Sequence, residues 1–218
     1  GLNAYISKVF SWMFIGLLVT AVVAFAVYFS DSFIIFLVRN IYLFYGLMIG
    51  EIVLVAVLSR RIMKLSFAAA FGMFLLYAAV NGITFALIFL IYAGESIWTT
   101  FLITAVTLGV MALYGRFTKT DLTQFRSVLF MGLIGIVVLS IVNIFLSSGP
   151  LEWIISIVGL FVFLGLTAYD TQKLKSYYYA TDGNMAIRQN LGVMGALALY
   201  LDFINLFLKL LRLFGRRK

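Results

Sequence analysis

The chain has no cysteine, no histidine and only one proline among its 218 residues. The absence of cysteine excludes disulfide bonds, thiol catalysis and metal sites built on thiolates. The absence of histidine excludes Ser-His triads, histidine-ligated metals and histidine-based pH switches. Any response to pH must therefore come mainly from carboxyl groups, and we expect neither an enzyme nor a bound cofactor.

Charged residues are also scarce. They make up 11% of the chain, whereas soluble domains carry about 25%. Hydrophobic residues account for 64% and aromatic residues for 17%. This composition indicates an all-α polytopic membrane protein, because a helix satisfies its own backbone hydrogen bonds in lipid. The net charge of +8 reflects basic loops and a basic tail, and we expect no nucleic-acid partner.

Seven apolar runs are long enough, or nearly so, to cross a bilayer, which takes about 20 residues. They predict a seven-helix bundle that forms a single transmembrane domain over residues 1–218. The first run is too long for the apolar part of a cleaved signal peptide. The runs are Phe10–Phe29, Ile41–Leu58, Phe67–Tyr92, Ile97–Tyr114, Val128–Leu146, Trp153–Tyr169 and Leu191–Phe214.

Basic residues in the connections between these runs predict the orientation, because cytoplasmic loops are enriched in lysine and arginine. Alternate connections hold Lys8, Arg60, Arg61, Lys64, Arg116, Lys119, Arg126, Lys173, Lys175 and Arg188. Before the tail, the opposite side holds only Arg39. We therefore expect a multi-pass protein of the cell membrane with a cytoplasmic N-terminus.

The basic tail conflicts with this topology, because seven spans place residues 215–218 outside the cell. An alternative has six spans and a re-entrant last segment, which leaves the tail in the cytoplasm.

The last run also carries polar and small residues on one helix face, since their spacings are 3, 4, 3, 4 and 3. A polar stripe should not face lipid, so we expect this helix to be central. The stripe consists of Gly195, Ala198, Asp202, Asn205, Lys209 and Arg212.

Two aspartates lie where a charge is costly. Asp170 ends the sixth apolar run and Asp202 lies inside the seventh. If the sixth helix continues to about Tyr179, antiparallel packing brings both carboxyl groups to a similar depth. They then share a proton, because two buried like charges repel each other. The alternative is that each aspartate is neutralised separately, for instance by Lys173 or Lys209.

Glu51 lies in the second half of the second run, and Arg60 and Arg61 follow nine and ten positions later. Neither arginine shares a helix face with Glu51, so a local ion pair is not expected. One interpretation is that Glu51 is satisfied locally and that the arginines only mark the cytoplasmic side. In the other, a long arginine side chain reaches inward to the aspartates.

Four segments of the chain resemble the Bax inhibitor family, the transmembrane Bax inhibitor motif proteins, in its bacterial branch. Two contain the aspartates and are specific to that family, and two lie around the second and third runs. The segments are Tyr169–Gln172, Tyr200–Phe207, Leu58–Ser66 and Tyr77–Thr84.

The resemblance implies a seven-helix bundle around the last helix and a pH-sensitive calcium leak across the membrane. It implies that Asp170 and Asp202 form the proton-sharing pair. It also implies an arginine latch for the closed state, at Arg61 or alternatively at Arg60. Cell-death regulation belongs to the eukaryotic members and is not carried over.

Calcium takes six to eight oxygen ligands, so Asp170 and Asp202 predict a weak, transient calcium site. Glu51 and Asn205 are expected to support it. A weak site suits conduction, because an ion must leave as readily as it binds. The expected partners are calcium ions, protons and membrane lipid. Two alternatives remain open: a proton-coupled cation carrier or exchanger, and a membrane scaffold that transports nothing.

Overall fold

The computed structural model describes residues 1–218, and it contains helices and no strands. Two short 3-10 helices, Ile62–Lys64 and Leu122–Phe125, precede the fourth and seventh α-helices. The nine α-helices are α1 (Leu2–Tyr28), α2 (Asp31–Arg39), α3 (Ile41–Arg61), α4 (Phe67–Phe85), α5 (Ile88–Ile91), α6 (Gly94–Phe117), α7 (Arg126–Leu146), α8 (Gly149–Ala180) and α9 (Met185–Phe214).

Seven helical segments are long and apolar enough to cross a membrane, which confirms the predicted spans. Several are longer than their apolar runs, because a helix continues into the polar boundary of the membrane where the chain permits it. The sixth span extends through α8 to Ala180, which meets the condition under which Asp170 and Asp202 lie at a similar depth. The re-entrant alternative is wrong, because α9 is one continuous helix of 30 residues.

Two local features were not predicted. A short helix, α2, connects the first two spans, with Asp31 in its first turn and Arg39 in its last turn. Both charges complement the helix dipole. The third apolar run is not one helix, because α4 ends at Phe85 and α5 begins at Ile88. Apolar composition continues through the interruption, so hydropathy alone does not reveal it.

The chain divides into two compact units, and α8 and α9 each contribute to both. Unit 1 contains residues 1–92, 175–200 and 218, and unit 2 contains residues 93–174 and 201–217. The single domain predicted over residues 1–218 remains a prediction. In unit 1, α1 packs closely on α4. A Cβ atom at Gly82 of α4 would lie 2.7 Å from the carbonyl oxygen of Thr20 in α1.

In unit 2, glycines allow close contacts with α8. A Cβ atom at Gly115 of α6 would lie 2.8 Å from the Cα atom of Ala168 in α8. A Cβ atom at Gly132 of α7 would lie 2.8 Å from a methyl group of Val162, also in α8. Small residues at such positions let helix backbones approach each other in a membrane.

The last helix is the most buried of the seven spans. In the apolar stretch of this span 67% of the residues are buried. The buried share is 6% in the apolar stretches of the spans that contain α3 and α7. This burial agrees with the central position predicted from the polar stripe.

The tail lies beside the segment that connects α5 to α6. Within unit 2, the Arg216 backbone N–H donates to Ser96 Oγ at 2.9 Å, and its carbonyl accepts from Ala93 N–H at 2.9 Å. The Arg216 guanidinium pairs with Glu95 at 3.3 Å. The tail is therefore on the same side as Glu95, as seven spans require.

Candidate functional site

Asp170 and Asp202, here called the aspartate pair, are brought together within unit 2. Asp170 lies ten residues before the end of α8, and Asp202 lies in the second half of α9. Their carboxyl groups lie within hydrogen-bonding reach of each other. Asp202 is 3% exposed, and Asp170 is half-buried. The contact predicted from the two sequence motifs is therefore present.

A hydrogen bond between two carboxyl groups requires that one of them carries a proton, because an ionised carboxylate only accepts. Asp202 Oδ2 is buried, and no N–H group or hydroxyl group of the protein donates to it. A proton on one carboxyl group is thus the only donor that the pair itself can supply. The arrangement favours one shared proton, and loss of that proton leaves two adjacent negative charges.

The cations nearest in sequence do not replace this contact. Asp170 is influenced by the positive charge of Lys173, which lies one turn later in α8, as well as by Asp202. Lys209 forms no salt bridge with Asp202. Separate neutralisation of Asp202 by Lys209 is therefore not the arrangement seen. Asn205 donates its side-chain amide to the carbonyl of Leu201 at 2.8 Å, within its own helix.

Gln172, the last residue of the first aspartate motif, holds the connection between α6 and α7 against α8. Its Oε1 accepts from the Leu122 N–H at 2.8 Å, and its Nε2 donates to the Thr120 carbonyl at 2.8 Å. Leu122, Ala168 and Tyr169 form a buried cluster next to this contact. Gln172 thus positions the part of α8 that carries Asp170. The only sequence signal for this positioning role was that Gln172 belongs to the motif Tyr169–Gln172.

Glu51 belongs to unit 1, at one end of a row of polar side chains. Thr84 Oγ1 lies 3.3 Å from Glu51 Oε1 and 2.8 Å from the carbonyl of Asn81. Asn81 Nδ2 donates to Tyr200 Oη at 2.9 Å, and Tyr200 Oη lies 2.6 Å from Thr20 Oγ1. Asn81, Tyr200 and Thr20 are all buried.

Sequence reasoning missed this row, because its members come from four helices and share no local pattern. Burying polar groups in apolar surroundings is costly unless they bond to one another. The row therefore fixes α1, α3, α4 and the first part of α9 in one arrangement. Whether Glu51 supports an ion site stays a prediction.

The predicted latch arginines end α3. Arg60 and Arg61 are both exposed, and neither forms a salt bridge. The turn that follows is held by Asn190 at the start of α9. Its Nδ2 donates to the carbonyls of Ile62 at 2.8 Å and Leu65 at 2.7 Å. The latch function of either arginine stays a prediction.

No group of three or more acidic, histidine or cysteine side chains forms a cluster that could hold a metal ion. The aspartate pair supplies two carboxyl groups, which is fewer oxygen atoms than calcium normally takes. Water would have to complete the coordination of any ion at this position. Such a site fits brief occupancy better than tight binding.

Comparison with known proteins extends over the whole chain. The sequence model of a family described as "Inhibitor of apoptosis-promoting Bax1" matches residues 2–218. The inner membrane protein YbhL of Escherichia coli (strain K12) is 47% identical, over 100% of this chain and 94% of YbhL. A protein of Borreliella burgdorferi is 42% identical, over 99% of this chain and 93% of its own. A membrane protein of Streptococcus pyogenes, SpyM3_0260, is 39% identical, over 99% and 94%.

Proposed function

Because the chain belongs to the Bax inhibitor family, we propose that it is a pH-sensitive calcium leak channel of the membrane. The observation that carries the proposal is the close approach of the Asp170 and Asp202 carboxyl groups inside an apolar helical protein. In this proposal the aspartate pair is both the pH sensor and a transient calcium site. The process needs neither a cofactor nor a catalytic step.

The physical basis is competition between a proton and a cation for the same oxygen atoms. With one shared proton the two carboxyl groups attract each other, and their negative charge is reduced. Without it they repel each other and attract a divalent cation more strongly than the protonated pair does. Calcium binding is therefore expected to rise with pH. The arginine at the end of α3, Arg61 or alternatively Arg60, would hold the closed state.

In the proposed orientation the protein spans the plasma membrane and its N-terminus lies in the cytoplasm. This orientation follows from the basic connections, because cytoplasmic loops are enriched in lysine and arginine. YbhL is described as an inner membrane protein, which supports a location in the membrane that bounds the cytoplasm. The tail and Glu95 then face outward. An ion moving inward would reach the aspartate pair from the end of α9 that carries the tail.

Flux through purified protein in liposomes tests the proposal. Calcium uptake is followed with a trapped indicator at several pH values, for the natural chain and for Asp170→Asn, Asp202→Asn and the double variant. Each single variant should flatten the pH dependence. The double variant should add little to either, because residues that act as a unit are not additive.

Asp182→Asn is the matched control, because Asp182 is exposed in the turn between α8 and α9. Its φ of 41° is a backbone conformation that asparagine also adopts. An unchanged pH profile in both single variants would refute the role of the pair. Uptake that requires an opposing proton gradient would indicate an exchanger, and absence of uptake would indicate a scaffold.

A further inference from the structure

Lys209 is a buried cation in the last helix, and nothing in the proposed mechanism uses it. Its side chain is 6% exposed, although it lies in a span that should exclude charge. Buried ionisable groups in membranes are costly and usually functional. A lysine so close to the end of a span would be expected to reach outward to the membrane surface, but this one is enclosed.

The position of Lys209 relates it to the aspartate pair. It follows Asp202 by seven residues, so the two lie on one face of α9 and are separated by roughly 10 Å along the helix. The stem of Lys209 packs against Gly159 of α8, where a Cβ atom would lie 2.7 Å from Lys209 Cε. Gly159 precedes Asp170 by eleven residues, which again places both on one helix face.

The contact between α8 and α9 in unit 2 therefore has two polar levels. The aspartate pair forms one level, and Lys209 over Gly159 forms the other, nearer the tail. Gly159 makes the second level possible, because any larger residue there would displace the lysine stem. The glycine thus provides the space that keeps the cation between the helices.

The charge of Lys209 is not balanced by a partner of its own. Glu152 and Arg212 are the charged groups that act on it. Glu152 is already shared, because Arg212 lies 4.0 Å and Arg217 lies 3.8 Å from its Oε1 atom. Glu152 is therefore not available to Lys209 alone.

We propose that Lys209 is an electrostatic barrier in the cation path, which limits how fast ions reach the aspartate pair and selects against divalent ions. This inference rests on the proposed leak function. The repulsion between Lys209 and a passing ion is proportional to the charge of that ion. A calcium ion therefore experiences twice the barrier of a potassium ion at the same position.

The test compares calcium and potassium flux through Lys209→Met, which keeps the apolar stem and removes the charge. From Coulomb's law at about 10 Å, with an effective dielectric constant of about 50 between those of protein and water, calcium flux should rise on the order of tenfold. Because the barrier energies differ by a factor of two, potassium flux should rise by only the square root of that factor, roughly threefold. Lys209→Arg keeps the charge and should retain the natural ratio of the two fluxes.

Lys119→Met is the control for loss of one positive charge, because Lys119 is exposed in the connection between α6 and α7. It should leave the flux ratio unchanged. If Lys209→Met does not fold, Lys209→Gln replaces it, since a neutral polar side chain fits the same space. Folding of each variant is checked by its elution volume and melting temperature.

The outcomes distinguish failure of the proposed barrier from failure of the proposed leak. Natural protein that conducts, with an unchanged calcium-to-potassium ratio in the neutral variants, would overturn the barrier and leave the leak intact. Equal increases for both ions would also overturn it, because they indicate loosened packing. If the natural protein conducts neither ion, the leak function itself fails and the barrier fails with it.

Discussion

Replacing Gly115 by alanine is expected to separate α6 from α8 beside the aspartate pair. The new Cβ atom would lie 2.8 Å from both the Cα atom and the carbonyl carbon of Ala168, and still nearer to its carbonyl oxygen. That distance is 0.6 Å short of the 3.4 Å at which ordinary contact begins. The obstruction is backbone, so it cannot be relieved by a side-chain rotation.

The expected cost is at the upper end of what overpacking causes, about 3 kcal/mol. Ala168 precedes Asp170 by two residues, so the displaced turn is the one that supports the aspartate pair. Gly115→Ala should therefore lower the melting temperature in detergent and also alter the pH profile of calcium flux. Both readouts are needed, because stability alone does not report on the site.

Gly109→Ala is the matched control in the same helix. A Cβ atom at Gly109 meets no atom within 4 Å, and alanine is the better helix former by roughly 1 kcal/mol. This variant should be as stable as the natural protein or more so, with an unchanged pH profile. Equal behaviour of the two variants would refute the argument from close packing of α6 on α8.

Three further predictions concern orientation, the latch and the polar row. In this cysteine-free chain, Glu95→Cys should react with an impermeant thiol reagent from outside and Lys119→Cys only from the cytoplasm; the reverse pattern would invert the topology. Arg61→Ala should raise basal calcium flux if its guanidinium holds the carboxyl groups of the closed state; if flux is unchanged at every pH, Arg60→Ala is the next variant. Tyr200→Phe removes two buried hydrogen bonds, each worth about 0.6 kcal/mol in a membrane, so the free energy of unfolding should fall by roughly 1 kcal/mol. No loss of stability would mean that water replaces the hydroxyl group.

Much of the architecture could be predicted from the sequence, because few backbone conformations are stable in lipid. Long apolar runs must form helices, since no water satisfies an exposed backbone. The aspartate pair could be predicted for a related reason, because a carboxylate at this depth needs a nearby group that reduces its charge. Asp170 and Asp202 were the only candidates that two antiparallel neighbouring helices bring to one level.

The features that were missed depend on contacts between distant parts of the chain. The interruption between Phe85 and Ile88 has no proline to mark it. The burial of Lys209 depends on a glycine fifty positions earlier in another helix. The bonds of Tyr200 to Thr20 and Asn81 join residues that are up to 180 positions apart. Helix periodicity describes one helix at a time, so it cannot identify such partners.

The hydrogen bonds at both ends of α9 restrict how this helix can move. Asn190 ties its first turns to the backbone after α3. Beyond its last turn, Arg216 is bonded to Ala93 and Ser96, and Lys218 N–H donates to the carbonyl of Ile91. Within unit 1, sliding of the first turns of α9 would break the bonds of Asn190, and within unit 2, sliding of its last turn would strain those of Arg216. Changes in side-chain rotamers leave these backbone anchors intact, so in the proposed leak they are the movements that α9 permits most easily.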